Sequence, residues 1–99
     1  MKNLYNVCKD IAEIEEKLLN GEISFEYDNL ASAMKVGHPG EILDDILSII
    51  GWDVYEGKEP SISKVKKVLK GLNSFQKTYK VDLKTQIAAL KQYIADKEK

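Results

Sequence analysis

The chain of 99 residues holds one cysteine, one histidine, two prolines and no arginine among its fifteen basic side chains. Each scarcity closes a class of function. One thiol forms no internal disulfide framework, and one cysteine with one histidine cannot complete a Cys/His zinc site. Without arginine, the planar fork that grips phosphate, carboxylate and guanine edges in two places is missing. The longest apolar run is a few residues around Ile49 and Ile50, far short of the roughly 20 that cross a bilayer. Met1 to Asn20 carries four acids and no apolar segment of the kind that directs secretion, so a cytoplasmic protein is expected. Glycine-rich phosphate loops, the G-x-S-x-G elbow and dinucleotide fingerprints are all absent, and Ser32, Ser48 and Ser74 have no histidine close in sequence. No enzyme and no cofactor is expected.

What is present fits one soluble domain over residues 1–99, 43% hydrophobic and 31% charged. A chain of this size buries about two thirds of the surface it exposes when unfolded, enough for one core without covalent staples. Leu4, Val7, Cys8, Ile11, Ile14 or Glu15, and Leu18 recur every three or four residues and predict a first helix, with Gly21 ending it in the left-handed conformation. Ser24 is placed to cap a second helix with Tyr27, Leu30, Ala31 and Met34 on its core face. The turn at Gly37, His38, Pro39 and Gly40 precedes a third, strongly apolar helix containing Ile42, Leu43, Ile46, Leu47, Ile49 and Ile50. Gly51 reads as the residue just past its end, Trp52 as folding back on Leu47 or Ile46, and Asp53 to Pro60 as the longest exposed connection.

From Ile62 to Ile94 the apolar spacing runs on with no further proline. Residues 61–94 are therefore either one long helix or a helical hairpin. Gly71 and the stretch at Val81 and Asp82 are the interruptions, and a break near Val81 is favoured because globular helices are usually shorter than twenty residues. The expected fold is all-α, a small bundle of four or five helices. Its core is expected to include Leu4, Cys8, Ile11, Leu18, Leu30, Met34, Leu43, Ile46, Leu47, Ile50, Val65, Leu69, Leu72, Tyr79, Leu83, Ile87, Leu90 and Ile94.

Charge supplies the strongest functional signal. Residues 1–57 carry four lysines against twelve carboxylates, and residues 58–99 carry eleven lysines against four, so a near-neutral total of -1 conceals a strong dipole. Lys70, Lys77, Lys84 and Lys91 stand seven residues apart, with Lys66 one turn earlier. On a continuous helix they make a stripe about 30 Å long that could follow a polyanion. The same stripe is also what any solvated helix face requires, and the two charged halves can simply attract each other.

Other candidate sites weigh less. His38 stands three residues before Glu41 but in a turn, with no second histidine, which leaves no metal site. Asp10 with Glu13, Glu13 with Glu16, and Asp44 with Asp45 are carboxylate pairs, but on polar helix faces, where nothing separates their pKa values for acid and base work. Cys8 lies on an apolar face and reads as an unreactive core thiol. Trp52 and Tyr55 beside a charged connection can anchor a partner, or can cover the core. Residues 30–42 have the rhythm of a helix-turn-helix. Their would-be reading helix begins with Glu41, Asp44 and Asp45, which a phosphate surface repels.

These readings lead to a non-enzymatic interaction module, an inhibitor, adaptor or immunity-type protein that binds another protein through an acidic face including Glu13, Glu16, Asp44 and Asp45. Sequence-independent nucleic-acid binding through Lys66, Lys70, Lys77, Lys84 and Lys91 is the second reading. Self-association into a homodimer through a coiled coil over residues 62–94 is the third. No membrane partner is expected.

Overall fold

The computed structural model describes residues 4–25 and 38–98. Four α-helices account for most of them: α1 (Leu4–Leu19), α2 (Pro39–Tyr55), α3 (Ile62–Tyr79) and α4 (Lys84–Lys97). The expected helix beginning at Ser24, its core residues Leu30 and Met34, and the first half of the helix-turn-helix pattern lie outside the described residues.

Local chemistry sets the boundaries. Helix α1 ends in a Schellman turn: Gly21 takes φ +83, its amide donates to the Leu18 carbonyl, and the Glu22 amide donates to Lys17 at 2.8 Å. His38 caps α2, its Nδ1 accepting from the Gly40 amide at 3.0 Å, and Pro39 occupies the first turn, where its missing N–H costs no helical bond. Ser61 caps α3 by accepting from the Lys64 amide.

Two expectations are corrected at the end of α2. Gly51 does not stop the helix, which continues to Tyr55 and closes in a second Schellman turn at Gly57, φ +79, with the Lys58 amide donating to Asp53 at 2.7 Å. Trp52 therefore does not fold back on Leu47 or Ile46. It sits on the helix face opposite Leu43, Leu47, Ile50 and Val54 and is 71% exposed. The Trp52 amide lies inside the helix, so the apolar stripe 43, 47, 50, 54 claims the core and pushes position 52 outward.

Residues 61–94 form a hairpin of two helices. Lys80 adopts the left-handed conformation, φ 59, to end α3, and Val81 and Leu83 then turn inward as buried plugs. Asp82 accepts from the Lys84 amide, while the Leu83 amide donates to Gln76 Oε1 at 2.7 Å, so α3 itself supplies a partner for the start of α4.

Helix α1 packs on α2, α2 on α3, α3 on α4 and α4 back on α1, a closed four-helix ring. Successive helices run antiparallel. Tyr5 at the start of α1 meets Tyr55 at the end of α2, Lys64 at the start of α3 reaches Asp53 late in α2, and Lys66 reaches Glu98 just past α4. The interior is entirely apolar among the described residues, built from Val7, Cys8, Ile11, Leu18, Leu43, Ile50, Val65, Val68, Leu72, Leu83 and Leu90. Helix α3 turns inward Val65, Val68, Leu72, Phe75 and Tyr79, and α4 turns inward Ile87, Leu90, Tyr93 and Ile94. The stripe expected to seed a coiled coil is thus spent inside the bundle. Ile46 and Leu69, expected in the core, are only partly buried.

Candidate functional site

Helix periodicity assembles the most unusual surface on α1 and α2. In α2, Asp44, Ser48 and Trp52 follow at four-residue steps and Gly51 and Tyr55 continue the adjacent row, so all five share one flank. Together with Leu47 they enclose a notch of about 200 Å³. Tyr55 meets Tyr5 of α1 edge to face, with ring centroids 5.7 Å apart and planes at 82°. Beyond that pair lies a second cleft of about 400 Å³, lined by Leu4, Tyr5, Val54, Gly57, Lys58, Glu59, Pro60 and Tyr93. Trp52 at 71%, Tyr55 at 49% and Tyr5 at 45% exposure make an aromatic ridge between two depressions.

The two helices that carry this ridge are rich in carboxylates, of which Asp44 borders the notch. Glu13, Glu16, Asp44 and Asp45 are all exposed, and Glu41 stands at the start of α2. The two helices together carry eight carboxyls against Lys9 and Lys17. Among the described residues the ion pairs are Lys58 with Glu56, Lys64 with Asp53, Lys66 with Glu98 and Lys97 with Glu59, and none of them neutralises Glu13, Glu16, Glu41, Asp44 or Asp45.

One carboxyl pair was not legible as a pair. Glu15 of α1, half-buried, meets Asp44 across the α1/α2 seam, and its pKa is pushed up to about 7 by burial first, then by the Asp44 charge and by donating a hydrogen bond to Asp44. The signal lay in the ambiguous position Ile14 or Glu15, where an acid interrupts the apolar stripe of α1. Tyr55, beside Cys8, Tyr5 and Glu15, has its hydroxyl pKa raised chiefly by burial and then by those three neighbours. Cys8 itself is fully buried and its thiol is pushed up to about 11 by burial, an unreactive core residue.

The lysine stripe is reorganised by the turn at Lys80. Lys66, Lys70 and Lys77 share a face of α3 over about 16 Å at 1.5 Å per residue, and the chain then reverses, so Lys84 and Lys91 run back along α4. A continuous 30 Å ladder does not exist. Lys66 is engaged by Glu98 at 2.9 Å, while Lys70, Lys77, Lys84 and Lys91 are exposed and outside every ion pair among the described residues. Helices α3 and α4 carry eight lysines against Asp96 alone, and Lys64 with Asp53 is the one ion pair that ties them to α1 and α2 among the described residues. Among the described residues, ion pairing between the acidic and the basic helix pair therefore uses little of their charge.

His38 is committed to its cap and lies edge-on to Phe25, ring centroids 5.1 Å apart. Among the described residues no three His, Cys, Asp or Glu side chains converge as a metal would require, and no helix is long and apolar enough to cross a membrane. At the second cleft, Glu59 accepts from Tyr93 at 3.0 Å and from Lys97; these hydrogen bonds, Lys97 first, lower the Glu59 pKa, while burial and the bond to Glu59 push Tyr93 up to about 12. No family model matches the chain, and comparison with curated proteins and with solved structures finds no match.

Proposed function

We propose that this chain is an intracellular, non-enzymatic interaction module, of the inhibitor or adaptor kind, whose α1/α2 face docks on a basic surface of a partner protein. The observation that carries this reading is the coincidence on the α1/α2 pair of an exposed aromatic ridge, Trp52, Tyr55 and Tyr5, with exposed carboxylates, Asp44 at the ridge itself, that enter no ion pair among the described residues. Trp and Tyr dominate the energetic centres of interfaces because they bury large rigid area at small entropic cost. An acidic rim speeds encounter with a basic partner and repels acidic ones. The turned-out position of Trp52 supports the same reading, since it leaves the largest aromatic side chain of the chain 71% exposed beside the notch.

The test compares variants of the immobilised chain in extract of its own cell. A partner held by the native protein and by the variant Lys70→Gln, Lys77→Gln, Lys84→Gln, Lys91→Gln, but lost from Trp52→Ala and from Asp44→Lys with Asp45→Lys, is the expected result. With the isolated pair, Trp52→Ala weakens binding about tenfold or more, the 1.4 kcal/mol expected of a central aromatic anchor. Retention by both face variants would overturn the reading. Nucleic-acid binding is the second reading, favoured by Lys70, Lys77, Lys84 and Lys91, which are exposed and outside every ion pair among the described residues. It requires labelled duplex DNA to bind with a salt slope that falls when those lysines become glutamine.

A further inference from the structure

The notch on α2 has the shape and chemistry of a receptacle for one cationic side chain. Its floor is Leu47 and Gly51, its walls are Trp52 and Tyr55, and Asp44 and Ser48 stand at its rim. Gly51 keeps it open: a Cβ there would lie 3.7 Å from Leu47 Cγ and 3.8 Å from Tyr55 Cε2, so the backbone is the only matter at that point of the floor. The Ser48 hydroxyl donates to the Asp45 carbonyl at 2.7 Å, which leaves its lone pairs available to a donor. The Asp44 carboxylate is exposed and free of any ion pair among the described residues, with Glu15 as a second carboxyl in contact with it. We propose that this notch is the anchor point of the docking face and takes a single arginine side chain of the partner protein, its guanidinium stacked against Trp52 and Tyr55 and paired with Asp44.

Arginine fits this receptacle better than lysine. A planar, weakly hydrated cation stacks on aromatic faces and offers two parallel N–H groups to a carboxylate, whereas an ammonium keeps its hydration and meets the carboxylate at one point. The absence of arginine from this chain means that a second copy cannot fill the notch in this way, which directs the site to a different protein. The proposal rests on the reading that the α1/α2 face docks a protein.

Trp52 is the only tryptophan, so its emission reports on the notch alone. The whole chain is titrated with acetyl-Gly-Arg-Gly-amide, with the lysine peptide and with the neutral, isosteric citrulline peptide. Saturable change with the arginine peptide, with a midpoint of about millimolar as suits one anchored side chain, is expected. The lysine midpoint should be at least about threefold higher and the citrulline peptide should give no saturable change. Asp44→Asn should raise the arginine midpoint at least about fivefold. Gly51→Leu fills the floor and should abolish the response; helical circular dichroism verifies its fold, and Asp44→Asn provides the same test without changing volume. Equal response to arginine and citrulline, or no saturable change in the native protein, would overturn the proposal. If the captured partner depends on Trp52 and on Asp44 and Asp45 but binds Gly51→Leu unchanged, the anchor is wrong and the docking face stands. If it ignores that face altogether, both fall.

Discussion

Two glycines on α2 look alike in sequence and differ in what surrounds them. A Cβ on Gly40 would come within 2.6 Å of Leu19 Cγ and 3.2 Å of the Glu15 carbonyl oxygen, because α1 ends directly against the first turn of α2. Gly40→Ala should therefore lower stability by about 1–3 kcal/mol through overpacking. Gly51→Ala meets only ordinary contacts in a helix interior and should raise stability by about 0.5–1 kcal/mol. Thermal unfolding of the two variants reads both signs. Glu15 gives a pH test at the same scale. Its folded pKa of about 7 lies above the ordinary 4.5, so the folded state holds the proton more firmly than the unfolded chain does. The corresponding stability is complete below about pH 4.5 and is lost as pH rises through 7. Glu15→Gln keeps a donor toward Asp44 at every pH, so it should flatten that decline and, with the shift discounted for partial exposure, gain about 1 kcal/mol at pH 8. Urea denaturation at pH 5 and pH 8 decides it: an equal effect at both would show that the two carboxyls do not share a proton.

At the scale of elements, the turn between α3 and α4 depends on two side-chain details. Gln76 Oε1 accepts from the Leu83 amide, and Gln76→Ala should cost about 1–2 kcal/mol by leaving a part-buried donor unpaired. Lys80 holds a left-handed conformation that glycine adopts freely, so Lys80→Gly should gain about 0.5–1 kcal/mol. Chemical denaturation measures both, and a destabilised Lys80→Gly would place the strain elsewhere. The same turn marks how far sequence reasoning reaches. The break near Val81 is legible because a β-branched residue followed by Asp82 interrupts a long helical period. The role of Gln76 is not, because it needs a partner seven residues away across a reversal. The helix after His38 is legible in its start but not in its end. A glycine followed by a tryptophan resembles a C-terminal stop, yet the apolar stripe from Leu43 continues to Val54 and carries the helix past Gly51. In α3 Leu69, expected in the core, is only partly buried, while Val68 one position earlier is buried with Val65 and Leu72, a choice between adjacent apolar residues that spacing alone does not make.

The whole molecule separates its charge by hairpin. Helices α1 and α2 are acidic, α3 and α4 are basic, and the core between them is apolar, so the dipole evident in the two halves of the sequence becomes two opposed surfaces. That division was legible from composition alone. The joining of the acidic surface to an aromatic ridge was not, because it depends on Tyr5 and Tyr55, fifty residues apart, meeting across the α1/α2 seam. Of the residues expected on the acidic face, Asp44 borders the notch while Glu13, Glu16 and Asp45 contribute exposed charge. The most direct measurement is site-specific photocrosslinking in the living cell, with a benzophenone side chain placed at position 5 of the aromatic ridge, which leaves Trp52 in place, or, on the basic hairpin, at position 77. A discrete protein adduct from position 5 that disappears when Asp44 and Asp45 are changed to lysine, and no such adduct from position 77, is the expected result. Adducts formed from position 77 and not from position 5 would contradict the docking of a partner on the α1/α2 face.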